Sequence, residues 1–220
     1  MLASEGERKE RWKNIRPILK KLYPSPKVGL EGWKNPFELL IATILSAQCT
    51  DVRVNMVTKT LFKKYKKPQD YLDVPAKEVE NDIRSTGFYK NKTKNIRGCC
   101  ETLLKNFEGK VPQTMEELIT LPGVGRKTAN IVLWAAHGKN DGIAVDTHVF
   151  RVSKRLGLAS GRSPVITERE LMPIVKQNEW GTLTDYLIWH GRKICDARKP
   201  KCSTCPIAKH CPRIGVERSA

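Results

Sequence analysis

Apolar positions along the chain recur mostly at helical spacing, and no segment alternates convincingly with the two-residue period of a strand. Residues 8–22 read as a basic amphipathic helix stopped by Pro24 and Pro26. Asn35-Pro36 places an N-cap before a proline at the first helical position. The helix it opens, 36–48, is apolar nearly all round (Phe37, Leu39, Leu40, Ile41, Ala42, Ile44, Leu45, Ala47), the pattern of a central buried helix. Thr50 caps a helix over 51–65, and Pro75 opens a short one over 76–85. Gly87 breaks the chain before a polar-faced helix over 92–106. Thr114 with Glu117 forms a capping box for 115–120. A helix over 126–136 is apolar after its first turn, Asp146 caps one ending near Gly157, and two more cover about 167–177 and 183–193. The expected fold class is therefore all-α. The polar turn 138–142 is the best boundary, and neither a strong repeat nor a low-complexity linker appears.

Charge narrows the partner. The 220 residues include 40 Lys+Arg against 23 Asp+Glu, a formal net charge of +17. That excess points to a polyanion, most simply nucleic acid, over a merely solvated basic surface. The longest apolar stretch, 37–47, is too short for a membrane span and contains Glu38, so no membrane partner is expected. The first ten residues lack the apolar core of a signal peptide. The expectation is a soluble cytoplasmic protein, prokaryotic and nucleoid-associated, acting as a monomer.

Chemistry concentrates in Leu121-Pro122-Gly123-Val124-Gly125-Arg126-Lys127 and, nineteen residues after Lys127, in Val145-Asp146-Thr147-His148. Two glycines between helices make a tight hairpin whose backbone amides can approach a phosphate, beside the positive end of the next helix. A glycine-turned αα-hairpin with no ligand has the same local form, but in so basic a chain DNA binding is the better reading. Lys127 is then either one more phosphate contact or a nucleophile. Asp146 is either a plain N-cap or a proton acceptor that also steadies positive charge growing on a sugar ring. Capping and catalysis can coexist, because a capped carboxylate is held rigidly.

Seven cysteines in such a chain are more naturally ligands or buried thiols than disulfides. Cys49, Cys99 and Cys100 lack ligand spacing and read as core or partly buried thiols. Cys195, Cys202, Cys205 and Cys211 give C-x6-C-x2-C-x5-C, a metal site. Spacing alone leaves structural zinc and an iron–sulfur cluster both open. Between the first two ligands the loop carries Arg198, Lys199 and Lys201, which suits phosphate binding and a structural metal.

Three blocks in order, Ser46-Ala47-Gln48-Cys49-Thr50-Asp51, the LPGVGRKTAN-to-VDTH unit and the four-cysteine tail, resemble the endonuclease III family of DNA glycosylases and abasic-site lyases, in the helix-hairpin-helix superfamily. The likeness runs from about Asn35 to about Cys211. It implies two helical domains with DNA between them: a six-helix barrel with the hairpin, 30–142, and an iron–sulfur domain from 1–29 and 143–220. It implies a [4Fe-4S] cluster on the four cysteines and a monovalent cation at the hairpin. By the same resemblance Lys127 attacks the sugar C1′ of a flipped-out damaged nucleotide with Asp146 assisting, and β-elimination cuts the strand. Gln48 fills the gap, Phe88 stands at the wedge position, and Gly123, Val124, Gly125, Arg126 and His148 contact DNA. The implied partner is duplex DNA carrying oxidised pyrimidines, of the thymine glycol type, or abasic sites. Phe88 replaces the usual leucine, Cys49 replaces the usual alanine, and one residue is inserted before VDTH. The alternatives are a monofunctional mismatch glycosylase of the same fold, a non-catalytic DNA-binding module with a structural metal, and an electron carrier. The first is disfavoured by the presence of Lys127 and by the absence of a long extension after Cys211, the last by the basic excess.

Overall fold

The computed structural model describes residues 2–26 and 29–220. Met1, Lys27 and Val28, which fall in the predicted segment 1–29, lie outside the described residues. Among the described residues the structure is helical, without a strand. Its α-helices are α1 (Glu5–Leu22), α2 (Pro36–Leu45), α3 (Asp51–Lys64), α4 (Ala76–Ile83), α5 (Tyr89–Phe107), α6 (Met115–Leu118), α7 (Arg126–His137), α8 (Thr147–Arg155), α9 (Pro164–Leu171) and α10 (Trp180–Lys193). None is long and apolar enough to cross a membrane.

The chain divides into two compact units, Val28–Lys139 and Met1–Lys27 with Asn140–Ala220. The first is built around α2. Asn35 Oδ1 accepts from the Glu38 amide at 2.9 Å and Pro36 opens the helix, so its start is set by sequence. Every residue of α2 after Pro36 is buried. Leu40, Ile41 and Leu45 pack with Ile96 and Leu103 of α5 and with Val132 and Leu133 of α7. Each such side chain contributes roughly 1.5–3 kcal/mol on leaving water.

In the second unit Trp12, Ile15 and Leu19 of α1 share a core with Val149 and Val152 of α8 and Leu183 and Leu187 of α10. The N-terminal helix therefore completes a core whose other members lie more than a hundred residues away. Ser4 and Glu7 form a capping box that starts α1 at Glu5, earlier than the amphipathic pattern alone indicates.

Several boundaries differ from the sequence pattern. α2 ends at Leu45, so Gln48 lies in a loop with φ 51° rather than on the helix. α5 starts at Tyr89, earlier than expected, directly after Phe88 at φ 48°. The expected helix 167–177 is instead α9, capped by Ser163 and ended at Leu171; Pro173 then lies in a 3-10 turn. A proline has no amide to continue the ladder and crowds the preceding turn. α10 begins at Trp180 despite Gly181, because its buried face outweighs the glycine's poor propensity.

Candidate active site and metal centre

The hairpin joins α6 to α7. Thr114 Oγ1 accepts from the Glu117 amide at 3.3 Å and starts α6, and the Val124 amide donates to Leu121 O at 3.0 Å to close the turn. Gly123 has φ 79°, and a Cβ there would lie 2.8 Å from Asn95 Cβ, so conformation and space both demand glycine. Gly125 is the N-cap of α7 and supplies no side-chain cap, which leaves first-turn amides for an external acceptor. Arg126 and Lys127 follow in that first turn, both exposed. Behind them Ala129, Val132 and Leu133 are buried in the unit's core, fixing the face that Lys127 presents. Val124 differs from its glycine neighbours: its side chain is buried and its amide is engaged within the turn.

Asp146 lies in the second unit, after the buried run Ile143–Val145. It is the N-cap of α8. Its Oδ1 accepts from the amides of His148 at 2.8 Å and Val149 at 2.7 Å, leaving Oδ2 outside the cap. The capping reading of Asp146 is thus realised in a geometry that still presents a carboxylate oxygen. His148 is half-buried with its Nδ1 3.1 Å from an Arg151 guanidinium nitrogen. Burial lowers its pKa from the ordinary imidazole value, against the pull of the Asp146 carboxylate.

The four C-terminal thiols line one cavity with Arg155, His190 and Ile207. α8 prepares this place. Arg155 donates to Asp196 O at 2.6 Å and Ala197 O at 2.7 Å, and approaches Cys195 Sγ at 3.4 Å. Arg151 donates to Cys195 O and Gly191 O. His190, on α10, sits with Nε2 3.6 Å from Cys205 Sγ and Nδ1 3.3 Å from the Tyr23 hydroxyl. Burial lowers the His190 pKa to about 4 and raises those of Cys205 and Cys211. Among the described residues no three His, Cys, Asp or Glu side chains gather closely enough to hold a single ion. Four thiols around a shared cavity, with arginines beside them to offset thiolate charge, fit a multinuclear iron–sulfur group. Arg198, Lys199 and Lys201 are exposed on the loop between the first two cysteines.

Gln48 and Phe88 are exposed in the first unit, each at the left-handed backbone position noted above. Cys99 and Cys100 are buried and Cys49 is partly buried, as thiols without ligand spacing. Sequence reasoning did not single out Arg151 and Arg155. The available signal was their spacing of four on a helix whose other face carries Val149 and Val152. Nor did it single out Lys92, whose burial no local pattern announces.

Comparison with known proteins identifies the family. Residues 41–177 match the model of HhH-GPD superfamily base excision DNA repair proteins, and residues 195–211 match that of the iron–sulfur binding domain of endonuclease III. Endonuclease III of Synechocystis sp. is 49% identical over 212 residues, covering 96% of this chain and 96% of the relative. That of Bacillus subtilis is 51% identical over 185 residues, covering 84% of each. A solved structure of a trapped endonuclease III–DNA covalent intermediate superposes with a TM-score of 0.89 at 47% identity, covering 93% of this chain and 96% of that one. With an all-helical fold, the glycine hairpin and a four-cysteine tail that binds a [4Fe-4S] cluster, this chain belongs to the endonuclease III family of base excision DNA repair enzymes.

Proposed function

We propose that the chain removes oxidised pyrimidines, of the thymine glycol type, from duplex DNA and then cleaves the abasic strand, with Lys127 as nucleophile and Asp146 as the assisting carboxylate. The observation that carries this is an exposed Lys127 as the second residue of α7, two positions after the side-chain-free N-cap Gly125. The relative whose covalent intermediate with DNA was trapped supports a bond between protein and DNA in this chain's reaction. As the Lys127 nitrogen bonds to C1′, the bond from C1′ to the base breaks. The sugar ring then opens to a protonated Schiff base. Loss of a C2′ proton expels the 3′ phosphate. A stacked nucleotide hides C1′, so the target must first be turned out of the helix.

In this reading Gly123, Val124, Gly125 and Arg126 position one phosphate without reading sequence, with a monovalent cation at the hairpin. The Gly123 and Gly125 amides are the better donors, since that of Val124 already donates to Leu121. His148, Arg198, Lys199 and Lys201 add backbone contacts, and Gln48 and Phe88 occupy the space left by the extruded nucleotide. The functional domains are read as 30–142, the hairpin-bearing barrel, and 1–29 with 143–220, the cluster domain, each bound lying within three residues of a boundary between the two compact units. When bound, the cluster supplies a rigid covalent staple for the loop that carries the three cations. The enzyme acts as a cytoplasmic, nucleoid-associated monomer.

Borohydride trapping on a thymine-glycol duplex tests the assignment. Wild type should give a covalent adduct and Lys127→Gln none, with DNA binding kept. Base release without an adduct in wild type would instead mean a water-using monofunctional glycosylase.

A further inference from the structure

Lys92 is a lysine in the wrong place for an ordinary surface cation. It sits on α5, only 4% exposed, and burial lowers the pKa of its amine. Such a desolvated ammonium normally finds a carboxylate. Here its Nζ instead donates to two backbone carbonyls, Leu45 O and Thr86 O, each at 2.8 Å. Leu45 is the last residue of α2, so this carbonyl belongs to the unsatisfied, negative end of the helix. Thr86 ends the 3-10 turn Arg84–Thr86, and its own hydroxyl donates back to Ile83 O at 2.8 Å. The backbone amide of Lys92 donates to Phe88 O at 3.0 Å.

The two carbonyls belong to two different loops. Leu45 is three residues before Gln48, and Thr86 is two before Phe88. Both Gln48 and Phe88 hold left-handed backbone conformations, at φ 51° and 48°, that side chains other than glycine's disfavour. Such conformations persist only where the surroundings impose them. Phe88 is 64% exposed, so its own side chain contributes little to holding that turn. One buried amine therefore ties the start of one projecting loop to the start of the other.

We propose that Lys92 is a positioning residue: its ammonium clips the Gln48 and Phe88 loops at a set separation, so that both enter the duplex together when the damaged nucleotide leaves. This rests on the reading of Gln48 and Phe88 as the inserting residues. Lys92 itself touches no DNA.

The test compares wild type, Lys92→Met, Lys92→Gln, Gln48→Ala and Phe88→Ala, alone and with each loop variant combined with Lys92→Met. Methionine keeps the apolar stem and removes every donor; glutamine keeps a donor and serves if the methionine variant fails to fold. Single-turnover release of thymine glycol from duplex should fall by about tenfold to a hundredfold in Lys92→Met. Cleavage of a single-stranded abasic oligonucleotide, which needs no gap filled, should stay within about twofold. With 2-aminopurine opposite an abasic analogue, the fluorescence rise on binding should shrink. Combining Lys92→Met with Phe88→Ala should cost little more than the larger single effect, because both act on one insertion step. Full duplex activity with an unchanged fluorescence rise, or fully additive losses, would overturn the role of Lys92 while the loop reading stands. Equal losses on single-stranded and duplex substrates would also overturn it, marking a general structural defect. Unchanged duplex rates in both Gln48→Ala and Phe88→Ala would remove the loop reading, and this proposal with it.

Discussion

α2 and the cysteine tail, 195–220, show two ways of making a segment take one conformation. In α2 nine of ten residues are buried, and hydrophobic contact from every side holds the helix. In the tail the only buried large hydrophobic side chain is Ile207. Its longest regular element is the 3-10 turn Ala208–His210. What orders it is polar and directional: Arg155 on Asp196 and Ala197 carbonyls, the Lys201 amide on Ile194 O, and four thiols facing one cavity. Close packing spreads the holding force over many weak contacts, whereas ligation and paired hydrogen bonds depend on each donor. The two segments should therefore fail differently.

The largest contrast comes from the metal. Cys202→Ser should abolish iron binding and its visible absorbance, and leave backbone amides of 195–220 open to hydrogen exchange. Amides of α2 should stay protected near the global limit. Equal loss of protection in both segments would show that the tail carries the first unit's stability too. Next in size, Leu40→Ala should cost about 2–5 kcal/mol in chemical unfolding of the first unit, through a cavity at the centre of α2. Iron content should remain, and loss of iron in that variant would break the contrast from the other side.

Acid should separate the units as well. His190 is 2% exposed, and its folded-state pKa of about 4 lies below the ordinary imidazole value of 6.5. Between those values the unfolded chain binds the proton and the folded chain refuses it. The stability from keeping the ring neutral is thus fully present above pH 6.5 and is lost as pH falls to 4, on the order of 3 kcal/mol. Protonation of cluster thiolates acts in the same direction. Exchange-monitored acid titration should show the second unit opening first. His137, in the first unit, is also lowered by burial and by Lys139, but without a shift of that size. Arg155→Met should cost about 1–3 kcal/mol by leaving two tail carbonyls without their donor, read as faster proteolysis of the tail alone. Smallest, Ser4→Ala should cost about 1 kcal/mol by uncapping α1, with a slight fall in the second unit's melting temperature.

Local rules carried much of the fold into view. Asn35-Pro36, Thr50, Thr114 and Asp146 are caps, and each starts its helix where the sequence places it. The all-helical class, the glycine hairpin and the grouping of four cysteines followed from periodicity, turn chemistry and spacing. Less legible were the ends governed by opposing local signals, such as α9 against Pro173 and α10 against Gly181. Hidden altogether were the long-range donors. Nothing in the sequence around Lys92 says that its amine lies beside Leu45, and nothing around Arg155 says that it reaches the cysteine loop.

By itself, then, the sequence determined which residues are the candidates for chemistry: a lysine after a glycine hairpin, a capping aspartate, four thiols and a large basic excess. Those depend on residue type and short spacing, which a chain displays directly. Only the tertiary structure decided that α1 completes the second core, that Gln48 and Phe88 project in left-handed turns, and that one buried ammonium joins their loops. Such features come from packing between distant segments, where burial turns a hydrogen bond that water would otherwise replace into one the fold must keep.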